Sequence, residues 1–106
     1  MDNSLIERLI RDFYNAYYTN DRGRFYSMLS DSFRKRVSLD EFNQRRQYAL
    51  IDLGKLKDID SIEKTDQEIK AKCQVLIRQD LVNHTFTILK EDGQYFIKPD
   101  NFMFAK

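Results

Sequence analysis

Residues 69–99 read IKAKCQVLIRQDLVNHTFTILKEDGQYFIKP, and the period of this stretch decides the fold. Ile69, Ala71, Cys73, Val75 and Ile77 alternate with Lys70, Lys72 and Gln74, the pattern of a strand with one face buried. Val82, His84, Phe86 and Ile88 continue the alternation against Asn83, Thr85 and Thr87. A two-residue turn at Gln79-Asp80 would set Val75 opposite His84, Cys73 opposite Phe86 and Ala71 opposite Ile88, with both apolar faces on one side. Asp92-Gly93 is a tight-hairpin signal that sets Ile88 opposite Ile97. Upstream, Leu56 to Glu63 reads as a weaker first strand, because Asp58 and Asp60 dilute its alternation.

The period before that stretch is helical. Leu5, Ile6, Leu9, Ile10, Phe13, Ala16 and Tyr17 recur at three- and four-residue spacing, behind a Ser4-x-x-Glu7 capping box, and predict a helix to about Thr19. Asp21 can cap a shorter helix carrying Phe25, Met28 and Leu29. Ser38-Leu39-Asp40-Glu41 repeats the capping box ahead of a third helix through Phe42, Ala49 and Leu50, with Gly54 as its C-terminal left-handed residue. The expected architecture is α+β: three helices, then an antiparallel meander of three to four strands whose apolar face meets the first helix.

The 106 residues make one domain, 1–106, and a composition of 42% hydrophobic and 33% charged residues is that of a globular chain. Eighteen basic against seventeen acidic residues leave a formal charge of +1, which argues against nucleic acid or an anionic membrane as a partner chosen by bulk charge. One cysteine and one histidine exclude an internal disulfide and a multi-cysteine or His-rich metal centre, so no metal or cofactor is expected. No stretch approaches the roughly 20 apolar residues of a membrane span, and Met1-Asp2-Asn3-Ser4 lacks a signal peptide's basic start. The chain as given reads as cytoplasmic, or as extracytoplasmic if it was cut from a longer one.

Four segments in order resemble the nuclear-transport-factor-2-like (cystatin-like) superfamily. They are the aromatic-rich Ile6 to Tyr18, the stretch Phe25-Tyr26-Ser27-Met28-Leu29-Ser30, the helix expected to end in Leu53-Gly54, and the closing Leu89-Lys90-Glu91-Asp92-Gly93-Gln94-Tyr95-Phe96-Ile97-Lys98-Pro99. That ending is similar to small extracytoplasmic members. Leu53 to Ile59 followed by it also resembles the accessory N-terminal domain of some penicillin-binding transpeptidases. The resemblance implies a cone in which a strongly curved sheet wraps the first helix. It matches no catalytic motif of an enzymatic member, so it assigns no catalytic residue.

On the residues themselves, His84 lies in mid-strand on the apolar side, and Tyr14, Tyr17 and Phe86 join it as candidates to line a pocket. The alternative for His84 is a core or rim histidine satisfied by one hydrogen bond, and for the tyrosines a core role with the hydroxyl bonded at its edge. Cys73 reads as a buried structural thiol. Arg22, Arg24, Arg34-Lys35-Arg36 and Arg45-Arg46 read as a salt-bridged helical surface, and no phosphate loop or nucleophile motif is read. Leu76, Leu81, Leu89 and Phe96 share the other sheet face, a surface either for a homodimer or partner or for the tail Phe102-Met103-Phe104. The functional expectation is a non-catalytic domain that binds a protein partner or an apolar small molecule and self-associates through its sheet. The runners-up are a small cone-pocket enzyme using His84 and Tyr17 as acid and base, and an accessory domain of a larger cell-envelope protein.

Overall fold

Asn3 stands at the N-cap of helix α1 (Ser4–Tyr18), and the Glu7 amide donates to its carbonyl at 3.0 Å, so Ser4 is the first helical residue and not the cap. The computed structural model describes residues 3–45, 48, 53–66 and 68–99. Asn20 turns the chain in the left-handed region (φ 57°), and the Asp21 carboxylate accepts from the Arg24 amide at 3.1 Å to cap α2 (Arg22–Ser27). An unforeseen helix α3 (Asp31–Arg36) follows, so the described residues hold four helices and not three. Six residues that bury one side chain, Phe33, are too few to write a periodic stripe. Helix α4 (Leu39–Gln44) opens on the expected capping box: Ser38 Oγ accepts from the Glu41 amide and Glu41 Oε1 from the Ser38 amide, each at 3.2 Å. Ala49 and Leu50, expected on this helix, lie outside the described residues.

Four strands follow in meander order: β1 (Lys55–Lys64), β2 (Ile69–Ile77), β3 (Asp80–Glu91) and β4 (Gln94–Ile97). Ile88 faces Ile97 as expected, but the β2–β3 pairing is shifted. Cys73 faces His84, Ala71 faces Phe86 and Val75 faces Val82, because the turn is Arg78-Gln79, with Arg78 left-handed at φ 58°. The shift moves each pairing by two positions and leaves every side chain on its expected face. In β1, Lys57 and Asp60 are extra residues at two register shifts. Leu56, Ile59 and Ile62 therefore reach the core at a spacing of three, opposite Val75, Cys73 and Ala71. Gly54 does not close the described helix. It enters β1 at φ 74°, where a Cβ would stand 2.5 Å from the Leu76 carbonyl oxygen.

The core lies between α1 and the inner sheet face. Phe13 is fully buried, its ring 4.3 Å from that of Phe25 and 6.0 Å from that of Phe86, while Leu9 and Tyr17 pack at the margin. Burying one such side chain contributes about 1.5–3 kcal/mol. Helix α1 touches both edge strands, β1 and β4, so the open sheet wraps it as the cone reading requires. The β4 edge is partly closed by the segment after α2: the Ser30 amide donates to Ile97 O at 2.9 Å and the Ile97 amide to Met28 O at 2.8 Å, in parallel pairing.

Candidate functional site

Tyr14, Tyr17 and Tyr18 sit three and four residues apart and so share a flank of α1. All three hydroxyls bond the backbone that enters β1: Tyr14 donates to Leu53 O at 3.1 Å, Tyr17 accepts from the Leu53 amide at 3.1 Å, and Tyr18 accepts from the Leu56 amide at 2.9 Å. The four pocket candidates do converge. Ring centroids run from His84 to Phe86 at 4.7 Å, Phe86 to Tyr14 at 6.1 Å and Tyr14 to Tyr17 at 6.4 Å. They converge as a packed stack, with Phe86 and Tyr14 fully buried and His84 and Tyr17 half-buried. Cys73, opposite His84, is fully buried; burial, reinforced by Asp60 and Asp58, pushes its thiol up to about 12, so it is no nucleophile near neutrality.

The basic side chains described on the helical surface from Arg22 to Arg45 are engaged in structure. Arg22 donates to Asn43 Oδ1 at 2.9 Å and to Phe42 O at 2.7 Å, with its guanidinium 4.4 Å from the Phe42 ring centroid, and so ties α2 to α4. Burial lowers its pKa. Arg24 pairs with Asp12, Arg45 with Glu41 and Lys35 with Asp31, while Arg34 donates to Leu29 O and lies over the Phe96 ring. One spacing was overlooked in the sequence: Ser32-Phe33-Arg34-Lys35 is an S-x-x-K pattern of the kind that supplies an acylated serine in penicillin-binding enzymes. Lys35 is solvated, and its hydrogen bond to Asp31 raises its pKa, the opposite of what a general base needs.

Leu76 and Leu81 pair at one end of the outer sheet face, and Leu89 and Phe96 pair at the other. Three polar rows, Gln74–Asn83, Lys72–Thr85 and Lys70–Thr87, separate the two pairs. Phe102, Met103 and Phe104, the other expected cover, lie outside the described residues.

At the mouth of the cone is a groove of about 170 Å³ that the sequence reading missed. Lys64, Thr65, Asp66 and Glu68 of the β1–β2 turn form one wall, Lys90 and Tyr95 of the β3–β4 hairpin the other, with the buried Ile69 between them. In a meander these two turns share an end of the sheet, so the strand order held the signal. Thr65 locks its turn, donating to Glu68 O at 3.0 Å and accepting from the Glu68 amide at 3.2 Å. Glu68 pairs with Lys70 at 3.1 Å. Among the described residues, Lys64, Lys90 and Asp66 form no ion pair, and no group of three His, Cys, Asp or Glu could hold a metal. No helix among them is long and apolar enough to cross a membrane.

No protein-family model matches the chain, and no curated protein does. Among solved structures it is similar to a protein of Campylobacter jejuni provisionally described as an NTF2-like transpeptidase, at 18% identity and a TM-score of 0.54, over 89% of this chain and 97% of that one. At that identity the likeness speaks for the fold. With four helices followed by an open four-stranded antiparallel sheet around α1, the chain has the nuclear-transport-factor-2-like, or cystatin-like, fold.

Proposed function

We propose that the chain is a non-catalytic binding domain that works through its surface. The observation that carries this reading is the filled interior: Phe13, Tyr14 and Phe86 occupy the space between α1 and the sheet, and the α1 tyrosine hydroxyls are engaged by the backbone at Leu53 and Leu56. An acid–base enzyme needs a solvent-connected cavity reached by two titratable groups. Between His84 and Tyr17, the pair such an enzyme would use, stand the rings of Phe86 and Tyr14. The neighbour's description as a transpeptidase bears on this chain as an accessory-domain reading, since burial holds the Cys73 thiol protonated and Lys35, in the one S-x-x-K spacing noted, is solvated and paired with Asp31.

The test is an amide NMR titration of the folded chain with small apolar molecules. The amides of Cys73 and Phe86 should stay unshifted. A compound that moves both would place a ligand inside the cone and return His84 and Tyr17 to acid–base duty.

Self-association is the second reading, and one observation favours it: Leu81 is 58% exposed beside Leu76. Such a contact would centre on the β2–β3 hairpin, not on the whole outer face. Light scattering should then give twice 12.8 kDa for the native chain and 12.8 kDa for Leu81→Lys, while 12.8 kDa for both ends the reading.

A further inference from the structure

The groove at the cone mouth holds two lysines on facing walls, with a buried apolar residue and an aromatic ring between and beside them. Lys64 pairs with Ile69 across β1–β2, so its side chain lies on the inner face; Lys90 and Tyr95 sit two positions from the inward Ile88 and Ile97 and share that face. The Lys90 ammonium stands over the Tyr95 ring, 5.8 Å from its centroid, and both residues line the groove. Lys70 neutralises Glu68, which leaves Lys64 and Lys90 against Asp66, an excess of one positive charge. That balance suits a monoanion and opposes a dianionic phosphate, which Asp66 would repel. The volume, 170 Å³, has room for about six waters and falls below the ~300 Å³ of sites for drug-sized molecules. It fits one residue, not a long peptide.

We propose that this groove binds an α-carboxylate carrying an apolar side chain, with Lys64 and Lys90 meeting the carboxylate and Ile69 and the Tyr95 ring meeting the side chain. The same chemistry is offered by the C-terminal residue of a peptide and by a free amino acid. The inference rests on the surface-binding reading above and gives it a site and a ligand class.

The experiment is an amide NMR titration with leucine, with N-acetyl-leucine and with an N-acetylated tripeptide ending in leucine. At least one should shift the amides of Lys64, Ile69, Lys90 and Tyr95 with a Kd of about 1 mM, the range open to so small a contact. N-acetyl-leucinamide should bind about tenfold more weakly or worse, and so should N-acetyl-leucine to the Lys64→Ala/Lys90→Ala double variant, whose spectrum reports its folding. Tighter binding of the tripeptide assigns the site to chain ends, and tighter binding of leucine to a free amino acid whose ammonium meets Asp66. No shift with any of the three, an equal response to the amide, or unchanged binding by the double variant overturns the proposal. None of those failures touches the binding-domain reading, which falls only if the interior amides of Cys73 and Phe86 move.

Discussion

The two faces of the sheet come from the same strands and have opposite fates. On the inner face Ile69, Ala71, Cys73, Val75, Phe86, Ile88 and Ile97 are all at most 7% exposed. On the outer face Lys70, Lys72, Gln74, Asn83, Thr85 and Thr87 fill the middle, and the apolar residues are parted to the two ends. The inner face is where a ligand-holding cone would be hollow, and here it is packed with rings. The proposed binding function therefore falls to the rims, where polar and apolar groups meet. The contrast places stability at the sheet's centre, and the proposed binding function at its ends.

The sharpest way to break that contrast is Phe13→Ala, which opens a cavity among Phe25, Phe86 and Tyr14 and should cost about 3–5 kcal/mol in urea unfolding. A loss under about 1 kcal/mol would mean that the inner face is not the core. Next is a pair of glycines. Gly93→Ala meets open space at φ 79° and should cost only left-handed strain, about 1 kcal/mol. Gly54→Ala adds the clash with Leu76 O and should cost at least about 1 kcal/mol more. Equal losses would show that β1 yields where it enters the sheet.

Smaller again is Tyr14→Phe, which strips a buried hydroxyl from Leu53 O and should cost about 1–2 kcal/mol, against less than about 1 kcal/mol for the exposed Tyr18→Phe. Reversal of that order would make the outer tyrosine the stronger tie. The last effect is confined to alkaline pH. The Cys73 thiol ionises near 12 when folded against an ordinary 9.0, so between those values only the unfolded chain loses the proton. Stability should therefore fall as pH rises through that window and be untouched by this group below it. Comparing the native chain with Cys73→Ala at several pH values isolates the slope. Identical slopes would mean that water reaches the thiol.

Most of this architecture is legible in the residues, and the failures share a cause. The α1 stripe, the Ser38–Glu41 box and the Asp92-Gly93 turn carry their geometry in residue type, and each stands where it was expected, except that Leu5 of the stripe is exposed. The Arg78-Gln79 turn does not, because Arg78 takes a left-handed conformation that its type does not advertise. Strand β1 stands where its weaker signal, Leu56 to Glu63, was read, and what its bulges hid is the face pattern, because they convert a period of two into a period of three. The pocket candidates are legible as a set, but which of their two readings holds is not, since the destinations of the Tyr14 and Tyr17 hydroxyls are backbone groups 36 or more residues away. The mouth groove joins two turns distant in sequence and becomes visible only through strand order.

The parallel bridge between Leu29 and Ile97 has a consequence for how the chain is made. Its two halves leave the ribosome 68 residues apart, about 3–14 s at ordinary elongation rates. When that interval opens Phe13 and Phe25 are already synthesised, and Phe86 of β3, which packs on Phe13, comes only near its end. Local helix formation cannot bury those rings, so the nascent chain carries an apolar load until its last strand emerges. High sequence separation at the closing contact also slows the search once the chain is free. A fold whose finished form hides its aromatic interior so completely depends, in its first seconds, on whatever shields that interior from other chains.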